Sequence, residues 1–151
     1  MDTALKKSIC EHYEKGRRNT SFIPGKSLVP VSGKVFDKEE LIHGVEAVLD
    51  GWWTEGRFAA EFEKEFAKTL GVRYVTLVNS GSSANLIALS ALTSSVFGKR
   101  ALQPGDEVIT TATGFPTTVN PIIQNRLIPV FIDNDLGTKN ATVDGIRRAM
   151  T

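Results

Sequence analysis

Three stretches of this sequence carry residue types that can do chemistry together. The first is Ser80-Gly81-Ser82-Ser83, lodged between a β-rich run at 74–78 and a small, apolar stretch at 84–92. Where a strand hands over to a helix, the first helical amides lack internal partners. The helix dipole stands behind them, so such a turn attracts an anion. Gly81 lets the backbone come close to a phosphate, and Ser82 and Ser83 add hydroxyl donors. The plain alternative is a serine-capped helix after an ordinary turn, and the motif taken alone leans that way. Neither Gly-x-Gly-x-x-Gly nor a Gly-Lys-Ser/Thr loop occurs in the chain, which disfavours nicotinamide and nucleoside-triphosphate sites.

The second stretch is Thr113-Gly114-Phe115-Pro116-Thr117-Thr118-Val119-Asn120-Pro121. It follows a strand expected at 107–111 and should emerge at the same carboxyl edge of the sheet as the serine turn, the edge where open α/β sheets bind ligands. An aromatic there can stack on a flat heteroaromatic ring. By itself, Phe115 reads more simply as a core residue. The third stretch is Trp52-Trp53-Thr54-Glu55-Gly56-Arg57. Adjacent tryptophans point to different sides of a loop, one anchoring in a core and one facing a pocket or a partner. Arg57 can take a phosphate or carboxylate in bidentate fashion, or form an ordinary ion pair with Glu61, four residues on. His12 and His43 have no partner at metal or triad spacing and read as structural or surface residues. The chain carries no nucleophile elbow, no paired catalytic carboxylates and no metal motif.

The elements that must position these stretches follow from hydrophobic periodicity. A polar helix over 1–20 is expected to end near Gly16, and an extended arm over 21–36 follows, with Pro24, Gly25, Pro30 and Gly33. Asp37 with Glu40 forms a capping box for a helix through Leu49, closed by Gly51. Phe58, Phe62, Phe66 and Leu70 stand four apart on a second helix, stopped by Gly71. Strands are predicted at 74–78, 107–111 and 128–132, with helices at 84–92 and 117–125. Pro121 is tolerated in the latter only if it lies in the first turn. A last helix at 144–150 takes Thr142 as its cap. Strands alternating with helices give an α/β layer with a parallel sheet. Three parallel strands with exposed edges read as a truncated piece of a larger domain.

The bulk numbers fit an ordinary globular chain. Its 151 residues are 41% hydrophobic and 23% charged, and 18 basic against 17 acidic residues leave a net charge of +1. That balance points away from nucleic acid. Cys10 is the sole cysteine, which rules out an internal disulfide and cysteine-rich zinc sites. No apolar run approaches the roughly 20 residues of a membrane span, and the N-terminus lacks a signal-like apolar core. A cytoplasmic location is expected. The sequons at Asn19 and Asn140 are discounted on that ground.

The ordered set of motifs is more specific than any one of them. Gly51-Trp52-Trp53-Thr54-Glu55-Gly56-Arg57-Phe58, Phe62-Glu63-Lys64-Glu65-Phe66-Ala67, Asn79-Ser80-Gly81-Ser82-Ser83-Ala84-Asn85-Leu86, Pro104-Gly105-Asp106-Glu107-Val108-Ile109, Phe115 through Pro121, and Pro129-Val130-Phe131-Ile132-Asp133 occur in that order. In this the chain resembles the DegT/DnrJ/EryC1/StrS family of sugar aminotransferases and dehydrases. Within it, the chain is most similar to the CDP-4-keto-6-deoxy-D-glucose 3-dehydrases of lipopolysaccharide deoxysugar pathways. The arm Val29-Pro30-Val31-Ser32-Gly33-Lys34-Val35, Asn85 in the small-residue helix, and the long connection at 93–105 carry that likeness.

The resemblance implies the N-terminal part of a fold-type-I aminotransferase large domain, mostly parallel sheet with flanking helices. A helix and arm would occupy 1–28 and the incomplete domain 29–151. It implies pyridoxamine or pyridoxal 5'-phosphate as cofactor, with Gly81, Ser82 and Ser83 at its phosphate and Phe115 on its pyridine ring. The loop holding Thr54, Gly56 and Arg57 would line the mouth of the active site, its own or a neighbouring subunit's. Asp133 matches a recurring family aspartate and reads as structural. The position that is lysine in aminotransferases and histidine in dehydrases falls beyond Thr151, as do the pyridine-nitrogen carboxylate and any iron–sulfur cysteines, so no catalytic base and no metal ligand is assigned here. The implied partners are a nucleotide-linked keto-deoxysugar, a second copy in a homodimer, and a reductase. The expected activity is 3-dehydration of the sugar. Two alternatives stand beside it: a lysine-using sugar aminotransferase, and an inert truncated chain acting only in folding or dimerisation.

Overall fold

The computed structural model describes residues 1–16 and 22–151. The sequon at Asn19, the end of the expected first helix and the start of the arm lie outside them. The chain divides into two compact units, Met1–Leu77 and Val78–Thr151.

The first unit is helical. Helix α1 (Thr3–Gly16) packs on α2 (Lys38–Leu49), and residues 22–37 before α2 are irregular, with a turn closed by Ser27 onto Ile23. Tyr13 fastens the arm's end, its hydroxyl donating to the Phe36 carbonyl at 3.1 Å with the two rings edge to face. The capping box forms as expected. The Glu39 amide donates to Asp37 Oδ1, and the Asp37 amide donates to Glu40 Oε2, both at 2.7 Å. Helix α3 (Arg57–Leu70) ends at Gly71, whose φ of 67° lies in the left-handed region that glycine adopts without strain. Phe62 and Phe66 stack along α3 with centroids 5.2 Å apart.

The second unit is an α/β layer. Strands β1 (Glu107–Thr111) and β2 (Ile128–Ile132) pair in parallel, Glu107 opposite Ile128. Helix α5 (Pro116–Gln124) makes the crossover between them. Helix α4 (Gly81–Ala91) packs on α5, and α6 (Val143–Ala149) packs on β2. The core is small, with Ile122, Leu127, Ile132 and Ala101 buried. Removing a side chain such as Ile122, only 2% exposed, costs about 2–5 kcal/mol in lost burial and cavity. Thr142 caps α6 as expected, accepting from the Gly145 amide at 3.0 Å.

Several expectations change. The run 74–78 is not a strand, so the expected three-stranded sheet has two strands among the described residues. A strand exists only through a ladder partner, and here the Leu77 amide is taken instead by the Glu63 carboxylate at 2.7 Å. Helix α4 begins at Gly81, three residues earlier than expected, because Ser80 caps it and draws the serines into its first turn. Helix α5 begins at Pro116, which leaves Pro121 in its interior and buried, not in the first turn. The long connection at 93–105 holds a 3₁₀ segment, Ser95–Arg100.

Candidate functional site

The start of α4 is built by Ser80. Its backbone is extended, and its hydroxyl accepts from the Ser83 amide at 3.2 Å while contacting the Ser83 hydroxyl at 3.2 Å. Ser83 is therefore committed to the cap. The amides of Gly81 and Ser82 and the Ser82 hydroxyl have no partner among the described residues. Both residues are exposed, and the first turn carries no acidic side chain. A Cβ built on Gly81 meets nothing within 4 Å. No atom of the chain needs a glycine at 81, and the space beside its Cα is open. The donor set fits an anion: two amides, one hydroxyl and the positive end of the helix dipole.

Phe115 is the N-cap residue of α5 and is 72% exposed. The plain reading of it as a core residue is thereby overturned. The loop before it is folded back on the end of β1 by Thr111, whose hydroxyl donates to the Thr113 carbonyl at 3.0 Å. Pro116, at the first helical position, sets the helix going without needing an N–H. The Asn85 side-chain amide donates to the Thr117 carbonyl at 3.3 Å. That bond joins the second turn of α4 to the first turn of α5, so both helix N-termini lie at one end of the pair. Along the axis, Asn85 stands about 6 Å from the Gly81 amide. The structure thus brings Gly81, Ser82 and Phe115 to the same end of the α4–α5 layer.

The tryptophan loop belongs to the first unit. Trp52 and Trp53 are 67% and 77% exposed, so neither anchors in a core, contrary to the expected split between them. Trp52, Thr54, Glu55, Gly56 and Arg57 line a recess of 480 Å³. Arg57 does not pair with Glu61. Its Nε donates to Asp50 Oδ2 at 2.7 Å, and its Nη2 lies 3.6 Å from Glu46 Oε2. Its guanidinium also rides 4.2 Å over the Phe58 ring. The hydrogen bond to Asp50 raises the Arg57 pKa further above its ordinary value. Glu46 gathers the amino terminus and Lys6 as well, each at 3.5 Å. Partial burial pushes its carboxyl upward, but Lys6 and the amino terminus outweigh that and hold it below the ordinary carboxylate value. The last turn of α2 and the start of α3 are thus tied by charge, which the Arg57–Glu61 spacing did not suggest.

His43 packs against Phe58 at 5.3 Å between centroids. Asp133 is exposed just past β2. No cluster of His, Cys, Asp or Glu suited to a metal occurs among the described residues, and no described helix is long and apolar enough to cross a membrane. Asn85 is the site residue that sequence reasoning left without a role. The signal for it was Pro121, which pointed to a carbonyl in need of a donor.

The family model of the DegT/DnrJ/EryC1/StrS aminotransferases matches residues 36–151. The lipopolysaccharide biosynthesis protein RfbH of Salmonella typhimurium is 58% identical over 143 residues, 95% of this chain and 33% of that protein. The dTDP-4-dehydro-2,6-dideoxy-D-glucose 3-dehydratase of Saccharopolyspora spinosa is 50% identical over 92% of this chain and 30% of its own length. In three dimensions, the E. coli GDP-4-keto-6-deoxy-D-mannose-3-dehydratase, solved with bound hydrated PLP, superposes with a TM-score of 0.70 at 35% identity. That match covers 81% of this chain and 31% of the other. The expected fold class holds, with the α/β layer matching the N-terminal part of aminotransferase-fold enzymes. The chain spans about a third of the length of these curated relatives.

Proposed function

Because the chain belongs to the DegT/DnrJ/EryC1/StrS family, we propose that it supplies the phosphate cradle and ring cover of a pyridoxamine- or pyridoxal-phosphate-dependent 3-dehydratase. The substrate would be a nucleotide-linked 4-keto-6-deoxysugar of lipopolysaccharide or related deoxysugar synthesis, CDP-linked on the sequence resemblance. The observation that carries this reading is the start of α4, neutral and open, sharing one helix-pair end with an exposed Phe115.

The Gly81 and Ser82 amides and the Ser82 hydroxyl donate to the phosphate, and the α4 dipole adds its field. Ser83 acts behind them by fixing Ser80 as the cap. Phe115 lies over the pyridine face and shields it from water, gaining burial and an offset-stacking contribution. When bound, the cofactor supplies an electron sink for chemistry at the sugar. Thr54, Gly56 and Arg57 face the substrate, with Asp50 and Glu46 holding Arg57 so that its remaining N–H groups are presented in one orientation. We assign residues 29–151 to the large domain and 1–28 to a helix and arm. We place the enzyme in the cytoplasm as a homodimer served by a reductase. The relatives quoted with named activities are both 3-dehydratases, which supports dehydration over transamination.

The test is cofactor retention. Protein loaded with pyridoxamine 5'-phosphate and desalted should keep the cofactor absorbance. Gly81→Val, which fills the open space, and Ser82→Ala, which removes a donor, should each weaken retention, the former more. Unchanged retention in both variants refutes the phosphate assignment.

A further inference from the structure

Pro121 lies inside α5, where proline normally breaks a helix. Its nitrogen has no hydrogen, so the bond that residue 121 would donate to the carbonyl of residue 117 cannot form, and the ring pushes that carbonyl off the helix axis. In this chain the Thr117 carbonyl is not left to solvent. The Asn85 side-chain amide, from α4, takes it at 3.3 Å. Asn85 stands four residues after Gly81, and therefore on the same face of α4. Pro121 is buried, lining with Ala88 and Leu89 the groove between the two helices.

We propose that Asn85 and Pro121 act as one positioning device: the proline frees the Thr117 carbonyl, and Asn85 uses it to hold the first turn of α5 in register with the first turn of α4. Phe115 is two residues before that carbonyl, and its own carbonyl accepts from the Thr118 amide at 2.9 Å within the same turn. Gly81 and Ser82 are one turn before Asn85. The device thus sets the tilt of the ring at 115 against the donors at 81 and 82. Asn85 is assigned as a positioning residue, since its side-chain amide is engaged by the Thr117 carbonyl. The inference rests on the reading that those donors and Phe115 hold one cofactor.

A double-mutant cycle in the full-length protein tests it, with pyridoxamine 5'-phosphate as the probe. The readouts are its Kd and the visible circular dichroism of the bound ring per unit absorbance. The second reports ring tilt, which a loss of general stability would not move. Asn85→Ala should weaken binding about fivefold, the equivalent of one ordinary hydrogen bond, and change the dichroism. Pro121→Ala restores an N–H that can reach the Thr117 carbonyl. In that background Asn85→Ala should be nearly silent in both readouts. Asn85→Asp, which keeps the volume but brings no donor, replaces the alanine variant if the latter does not fold. Equal effects of Asn85→Ala in the unmodified and the Pro121→Ala backgrounds overturn the proposal. Ser82→Ala is the control. If it weakens binding while the cycle is additive, the phosphate reading stands and the positioning role falls. If Ser82→Ala and Gly81→Val both leave binding intact, the phosphate reading fails and takes the inference with it.

Discussion

Helices α2 and α4 both start on a side-chain cap, yet only one start is closed. At α2, Asp37 and Glu40 satisfy each other's amides, and Glu39 adds further negative charge to the first turn. That terminus carries its own anion. At α4, Ser80 satisfies the Ser83 amide alone, the first turn has no acid, and the amides of Gly81 and Ser82 remain open. A capped helix start is common, and capping by itself says nothing of ligands. The difference in charge and in residual donors separates a start made for stability from one able to take an external anion.

The comparison is broken most sharply by giving α4 the character of α2. Ser82→Asp would place a carboxylate where the phosphate is proposed to sit. Two like charges about 4 Å apart at an effective dielectric near 20 repel by up to about 4 kcal/mol. Cofactor affinity should therefore fall ~100-fold or more in equilibrium dialysis. The same substitution complements the helix dipole, and the melting temperature should hold or rise, by ~0.3–1 kcal/mol of stability. Lower affinity together with lower stability would mean that the variant damages the fold and that the open terminus is not a site.

The converse change is smaller. Asp37→Ala removes the α2 cap and should cost about 1 kcal/mol in a denaturant melt. Pyridoxamine phosphate binding should be unaffected, because the Asp37 carboxylate is engaged within α2, accepting from the Glu39 amide. A loss of binding comparable to that of Ser82→Asp would erase the distinction between the two termini.

The two starts were unequally legible. The capping box of α2 is written in Asp37 and Glu40, three apart, followed by an apolar helical pattern, and it forms as read. The α4 start falls three residues before the expected 84. Glycine and serine are weak helix formers, and only the cap geometry at Ser80 shows that they belong to the first turn. The parallel pairing of β1 and β2 followed from the alternation of strands with helices. The run 74–78 has strand composition, but composition cannot supply a ladder partner. Distant partners were the common blind spot. Helical spacing offers Glu61 as an ion-pair partner for Arg57 beside an external anion, whereas the loop folds it back onto Asp50 and Glu46. Pro121 is out of place in a helix by sequence alone, and Asn85, 32 residues upstream of Thr117, stands on the carbonyl it leaves free.

The smallest effect concerns acid, and it too divides the two helices. Glu46, in α2, holds the amino terminus, Lys6 and Arg57. Partial burial pulls its carboxyl up, but Lys6 and the amino terminus overcome that and keep it below the ordinary value. A carboxyl depressed in the folded state contributes stability that is present above its unfolded pKa, about 4.3 for glutamate. That contribution is lost as pH falls through the lower folded value. Amide exchange along α2 should therefore accelerate as the pH is taken from about 5 toward 3, beyond the intrinsic change. The first turn of α4, with no acidic residue to protonate, should show no such excess over the same window. Glu46→Gln should flatten the α2 response, leaving at acidic pH the protection of the unmodified chain and at neutral pH somewhat less. The effect stays small because two of the three partners are solvent-facing, with Lys6 and Arg57 side chains 47% and 56% exposed, where screening trims ion pairs to the low end of their range. An unaltered acid response in Glu46→Gln would shift the origin of the depressed stability to other carboxylates of the unit and remove Glu46 as the tie between α2 and α3.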